Sequence, residues 1–266
     1  MKKLFICADM EGTCGITHWD ETERIHPDYA YFADQMTREV SAACEGAREA
    51  GYSQVVVKDA HDSARNLNPR LLPDHARVLR GWGGHPYMMM LGLDHSFDGV
   101  VFTGCHNAAG TDSNNLAHTM TRSVFELRIN GETASELYIN ALTASLEGVP
   151  VYAVSGDEGV CAWIHDKSPC TKVIPLNSGI GAAVSSLHPN DAVRLIRETV
   201  REALKQPKEA CLFPMPKRFE VEMTFREHAV AKRLSFYPGI QQSGTRTLVY
   251  RSDDYFEVLR MMHFVL

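Results

Sequence analysis

The residues that could do chemistry stand at the ends of apolar runs. The first run, Leu4-Phe5-Ile6-Cys7-Ala8, closes on Asp9-Met10-Glu11-Gly12, two carboxylates and a glycine within four positions. In extended chain Asp9 and Glu11 point the same way and Met10 the other. Neighbouring carboxylates repel unless a cation or a proton lies between them. A second run from Gln54 ends on Lys58-Asp59-Ala60-His61, and a third from Phe97 ends on Gly104-Cys105-His106. A small-residue loop, 107–117, then delivers His118, and Glu136 falls in the first turn of a helical pattern. Taken singly, each acid reads as a helix cap or a solvated group, and each histidine as a hydrogen-bonded structural residue. Taken together, a mixed Asp/Glu/His set without cysteine suits catalytic zinc, manganese or iron, with two ions bridged by one carboxylate where oxygen ligands suffice. Asp59 is expected either to orient the loop after it or to hydrogen-bond a ligating imidazole.

The elements that must position these residues alternate strand and helix. Apolar runs rich in β-branched residues fit parallel strands covered on both faces, whose ligands gather outside the carboxyl ends. Between the first two strands a helix is expected from about Asp28 to the glycine stop at Gly51, with Phe32, Met36, Val40, Ala43 and Ala47 inward. A proline- and glycine-rich stretch, 63–86, surrounds one short strand at 77–80. Extended chain is expected at 119–129, a helix from about 134 to 147, strands at 149–154 and 172–176, and an amphipathic helix at 191–205. The reading is an α/β chain: a mostly parallel central sheet flanked by helices. Domains are expected at 1–206, carrying the metal-binding residues, and 207–266, a smaller C-terminal α+β subdomain.

Composition narrows the partners. The 266 residues are 44% hydrophobic, ample for a substantial core, and 27 Lys and Arg against 33 Asp and Glu leave a net charge of -6. No basic cluster is interleaved with aromatics, which argues against nucleic acid. No stretch approaches the roughly 20 apolar residues of a membrane span. Cysteines 7, 14, 44, 105, 161, 170 and 211 are odd in number and form no C-x-x-C pair, which points to a reducing cytoplasm and away from a thiolate zinc site.

Asp9-Met10-Glu11-Gly12, Asp59-Ala60-His61-Asp62-Ser63, Gly104-Cys105-His106, His118-Thr119-Met120 and Glu136-Leu137 with Asn140 resemble the DppA-type D-aminopeptidases, binuclear zinc peptidases. The resemblance runs nearly end to end, through Gly156-Asp157, Ser178-Gly179-Ile180-Gly181 and Tyr237-Pro238-Gly239; Cys105 departs from it, standing where an aromatic is usual. It implies Asp9 as a bridging ligand, with Glu11, His61, His106 and Glu136 completing two zinc sites per chain. It also implies His118 as the catalytic histidine, Asp59 and Asn140 as supporting residues, and a homodecamer of two stacked five-membered rings.

The expected activity is a zinc aminopeptidase that releases N-terminal D-residues such as D-alanine from short peptides through a metal-bound hydroxide. Two rivals stand beside it. Another binuclear hydrolase, an amidohydrolase or a phosphoesterase, would use the same ligands, and only scattered Arg65, Arg70 and Arg122 could clamp a phosphate. A non-catalytic metal- or peptide-binding protein would leave His118 dispensable.

Overall fold

The computed structural model describes all residues 1–266. In chain order the elements are β1 (Lys2–Ala8), α1 (Tyr29–Glu49), β2 (Tyr52–Asp59), β3 (Ala76–Leu79), β4 (Gly99–Cys105), β5 (Val124–Ile129), β6 (Glu132–Thr133), α2 (Glu136–Leu146), β7 (Val151–Asp157), α3 (Glu158–Lys167), β8 (Lys172–Ile180), β9 (Ala183–Ser186), α4 (Pro189–Ala203), β10 (Phe219–Phe225), α5 (His228–Leu234), β11 (Gln241–Gln242), β12 (Thr247–Ser252) and α6 (Tyr255–Val265). Seven strands form one sheet in the order β3-β2-β1-β4-β7-β8-β9, parallel except for the β8-β9 hairpin at one edge. This is the mostly parallel sheet expected from the apolar runs.

β1 lies between β2 and β4, buried on both faces. Its alternate residues feed two cores: Leu4, Ile6 and Ala8 meet Met36 and Val40 of α1 and Ile196 and Val200 of α4, while Phe5 and Cys7 join the side that holds α2 and α6. α1 and α4 pack on each other so closely that a Cβ on Gly46 would stand 2.4 Å from the Arg197 carbonyl oxygen.

A second, antiparallel sheet runs β11-β12-β10-β5-β6. It spans the expected junction at 206/207, because β5 and β6 come from before it and β5 pairs with β10 from after it. Val221, Met223 and Phe225 of β10 alternate inward with Leu127 and Ile129 of β5, the period-two pattern of a sheet buried on one face.

The expectation of reduced thiols holds at five cysteines, all buried and free. It fails at Cys170 and Cys211, which form a disulfide across 41 residues, because α4 runs back along the sheet and returns the chain beside the start of β8. No helix is long and apolar enough to cross a membrane.

Candidate metal centre

Register places the acids. Ala8 is the last residue of β1 and pairs with Asp59 on one side and Thr103 on the other, so Asp9 emerges level with Ala60 and Gly104, with His61 one residue and His106 two residues further out. The strand ends are bound together by main chain: Asp9 N–H donates to Thr103 O, Ala60 N–H to Ala8 O and Gly12 N–H to Gly104 O, at 2.8–2.9 Å. The approach leaves no room for side chains. A Cβ on Gly12 would fall 1.8 Å from the Cys105 carbonyl oxygen, and one on Gly104, whose φ is +68°, 2.1 Å from that of Asp9.

Five of the predicted residues converge in two buried triads that share one member. Asp9, Glu11 and His61 form the first, and Asp9, His106 and Glu136 the second; a third group, Glu11 and His106 with the half-buried His118, draws on both. Asp9 turns a different oxygen to each: Oδ1 lies 3.6 Å from His61 Nδ1, and Oδ2 lies 3.5 Å from His106 Nε2. His61 Nδ1 is 3.0 Å from Glu11 Oε2, and His106 Nε2 is 3.6 Å from Glu136 Oε1.

Hydrogen bonds behind the rings settle which nitrogens face inward. A backbone carbonyl can only accept, so each ring nitrogen against one carries the proton. His61 Nε2–H donates to Thr22 O at 2.9 Å, His106 Nδ1–H to Asn107 O at 2.9 Å and His118 Nδ1–H to Leu116 O at 2.9 Å. The remaining nitrogen of each ring turns a lone pair toward carboxylate oxygens. Glu11 Oε2 and His106 Nε2 are buried without any hydrogen-bond partner. Lone pairs facing lone pairs call for a cation between them. The spacing agrees, since tetrahedral ligands at zinc–ligand distances of 2.0–2.1 Å lie about 3.3 Å from one another. The residues therefore fit a pair of zinc ions.

The electrostatics lead the same way. As protein groups alone, burial and the neighbouring Glu11 carboxylate push Asp9 up to about 7. Burial disfavours charge on His61 and His106, yet the facing carboxylates outweigh it and raise both rings well above the ordinary histidine value. A metal ion competes with those protons for the same lone pairs.

His118 also lies here, on the loop before β5. Its ring stacks on His106 with centroids 4.3 Å apart, and Trp19 meets it edge to face at 5.3 Å. Its Nε2 is 3.5 Å from Glu136 Oε1 and 3.8 Å from Glu11 Oε1. Burial, then the charge on His106, lowers its pKa, so the ring is neutral near pH 7.

Of the two expected supporting residues, neither hydrogen-bonds an imidazole. Asp59 does the loop-orienting work instead: its carboxylate accepts from Asn66 N–H, Leu67 N–H and Asn66 Nδ2, and Asn66 Nδ2 also donates to the His61 carbonyl. Asn140, one turn after Glu136 on α2, donates to the Met89 thioether at 3.3 Å. Glu136 is fixed by Met120 N–H at 2.7 Å, at a helix N-terminus that favours its charge.

Sequence reasoning missed several supports. Asn177 of β8 binds the carbonyls of Gly12 and Thr13 and the N–H of Gly15, fastening the turn behind Glu11. Asp157 accepts from Asn107 N–H while capping α3. The strand-helix boundary at Asp157-Glu158 was the available signal for Asp157; Asn177 had none. A cleft of about 280 Å³ opens over the triads, with Trp19, Trp82, Met89 and Met120 in its walls.

Three comparisons bear on this geometry. A family model described as D-aminopeptidase matches residues 1–264. A D-aminopeptidase of Bacillus subtilis is 28% identical over 262 residues, 98% of this chain and 95% of that one. A solved structure described as the Zn-dependent D-aminopeptidase DppA from Bacillus subtilis, a self-compartmentalizing protease, superposes with a TM-score of 0.91 over 99% of this chain and 96% of that one, at 28% identity. A site of carboxylates and imidazoles built on this sheet, within a match that leaves almost no residue uncovered, places the chain in the D-aminopeptidase family, as a metallo-aminopeptidase.

Proposed function

We propose that the chain binds two zinc ions, with Asp9 bridging them, Glu11 and His61 completing one site and His106 and Glu136 the other, and that it removes N-terminal D-residues such as D-alanine from short peptides. The observation that carries this reading is the division of the Asp9 oxygens between two triads that share no other residue.

When bound, paired zinc ions supply Lewis acidity, which makes a water nucleophilic at neutral pH and polarises a carbonyl. The chain's own residues do the rest. His118 is neutral, its Nδ1–H is held by Leu116, and Nε2 is the free basic nitrogen beside Glu11 and Glu136. It takes the proton from the attacking water and returns one to the departing amine, a role worth typically 10²–10⁴-fold. Trp19 and His106 hold its ring from two sides and restrict water. The substrate's free α-amine is placed at the carboxylate-rich floor of the cleft, which selects for a chain end.

Assembly into a homodecamer is part of the proposal. It is supported by the exposed apolar side chains Ile25, Tyr31, Ile180, Phe236 and Phe264, and light scattering measures it. For the activity, the test is elemental analysis of protein purified without chelator, with hydrolysis of D-alanyl and L-alanyl anilides before and after chelation. About two zinc ions per chain and chelator-sensitive cleavage of the D-anilide are expected. A stoichiometry near one that added zinc does not change counts against the bridging role of Asp9.

A further inference from the structure

We infer that Arg122 is the receptor for the C-terminal carboxylate of the substrate, so that the enzyme prefers very short peptides, dipeptides above all, with a free acid end. This rests on the peptidase reading above and names the part of the substrate it leaves open.

Arg122 is the only arginine or lysine among the residues lining the cleft, whose wall carries the acids Asp9, Glu11, Glu23, Asp62 and Glu136. Asp9, Glu11 and Glu136 would be taken up by the metal ions of the proposed site, which leaves Glu23 and Asp62 in the wall to repel an anionic chain end wherever Arg122 does not meet it. The guanidinium is pre-positioned: it lies over the Trp19 ring, 4.7 Å from the centroid, and Nη1 donates to Glu23 Oε1 at 3.2 Å. That is the one side-chain bond it makes within the protein, so Nε and Nη2 remain free, and the side chain is 60% exposed. A planar fork with unused donors is the shape that takes a carboxylate bidentately.

Placement adds length selection. Trp19 touches both Arg122 and His118, so the guanidinium stands one aromatic ring away from the reacting end of the site. Met120, two residues before Arg122, is bonded to Glu136 through its N–H. Glu23 follows Thr22, whose carbonyl holds His61. The pair thus bridges two lips of the cleft that are both anchored to the metal ligands. A cleft of about 280 Å³ closed in this way is small beside the 300–1,000 Å³ typical of ligand sites. A dipeptide zwitterion matches it, amine over the carboxylate floor and carboxylate at the rim.

The test compares D-Ala-D-Ala with D-Ala-D-Ala-amide, which share the scissile bond and differ only at the acid end. Wild-type, Arg122→Gln, Arg122→Lys and Glu23→Gln proteins are assayed with zinc, and binding of both peptides to a His118→Ala background is measured by calorimetry. The wild type should prefer the acid, and Arg122→Gln should lower the acid-to-amide ratio of kcat/KM by roughly 10- to 100-fold, mostly through KM for the acid. Arg122→Lys should recover part of the ratio, and Glu23→Gln should raise it by freeing the guanidinium. A ratio near one in the wild type, or a ratio that survives in Arg122→Gln, overturns the assignment. If neither peptide is cleaved but the acid still binds in preference through Arg122, the peptidase reading has failed and the receptor stands. If neither is cleaved and binding shows no preference for the acid, the receptor has failed too.

Discussion

Gly104→Ala puts a methyl group where two strand ends meet, and its cost follows from the geometry. At φ +68° an L-residue pays about 1–2 kcal/mol for the left-handed conformation. The new Cβ would also stand 2.1 Å from the Asp9 carbonyl oxygen and 2.8 Å from its carbon, so β4 and the end of β1 must part by about 1 Å to restore ordinary contact. Asp9 divides its oxygens between both triads, and a displacement of that size at a catalytic group costs on the order of 10²-fold in turnover. Strain and overpacking together give a stability loss of about 2–5 kcal/mol. Gly51→Ala is the control: its φ is +87°, but nothing lies within 4 Å of the added Cβ, so it carries the backbone strain without the clash. Thermal unfolding, zinc content and kcat/KM of the two variants separate the effects. Wild-type metal content and turnover in Gly104→Ala, or equal loss of activity in Gly51→Ala, would refute the idea that backbone contact sets the ligand spacing.

Asp9→Ala should abolish turnover and lower zinc content, whereas Asp59→Asn, which loosens the loop behind His61, should cost 10–100-fold in affinity or activity; equal, total loss in both would make Asp59 a ligand. His118→Ala should keep both metals and lose 10²–10⁴-fold in kcat, and loss of zinc would make His118 a ligand instead. Burial pushes Glu39 up to about 7, so the folded state holds a proton that the unfolded chain releases near its ordinary 4.5. Stability therefore falls as pH rises between those values. Glu39→Gln removes that penalty, gaining up to about 3 kcal/mol at pH 8 and little at pH 4, read as denaturant midpoints at the two pH values; a gain that does not vary with pH sinks the argument. Opening the Cys170–Cys211 disulfide by serine substitution should cost up to about 4 kcal/mol for its 41-residue loop while kcat/KM stays within twofold, measured as Tm and turnover with and without reductant.

The central sheet was legible because β1, β2 and β4 are apolar runs that end on acids and histidines, and a βαβ crossover forces those ends onto one edge. α1 was legible from its three- and four-residue spacing. The partners that orient the rings were not: Thr22, Asn107 and Leu116 act through carbonyl oxygens, which every residue has. α3 went unread because the sequence after Asp157 is short and weakly amphipathic. The disulfide was hidden for a similar reason, since its pairing depends on where α4 returns the chain and not on any spacing of cysteines. The smaller C-terminal α+β part was legible, but not that β5 joins its sheet, because β5 finds its main partner, β10, about ninety residues further on.

That last pairing sets a schedule for the protein's own synthesis. Residues that supply Asp9, Glu11, His61 and His106 leave the ribosome early, on a βαβ framework that can fold as it emerges. His118 and Arg122 precede β5 and Glu136 follows β6, and until β10 arrives β5 has only the two-residue β6 beside it. The segment that carries His118, Arg122 and Glu136 thus gains its main partner strand only when residues 219–225 have been made. The first triad can therefore gather on the nascent chain before His118 and Glu136 are fastened beside it.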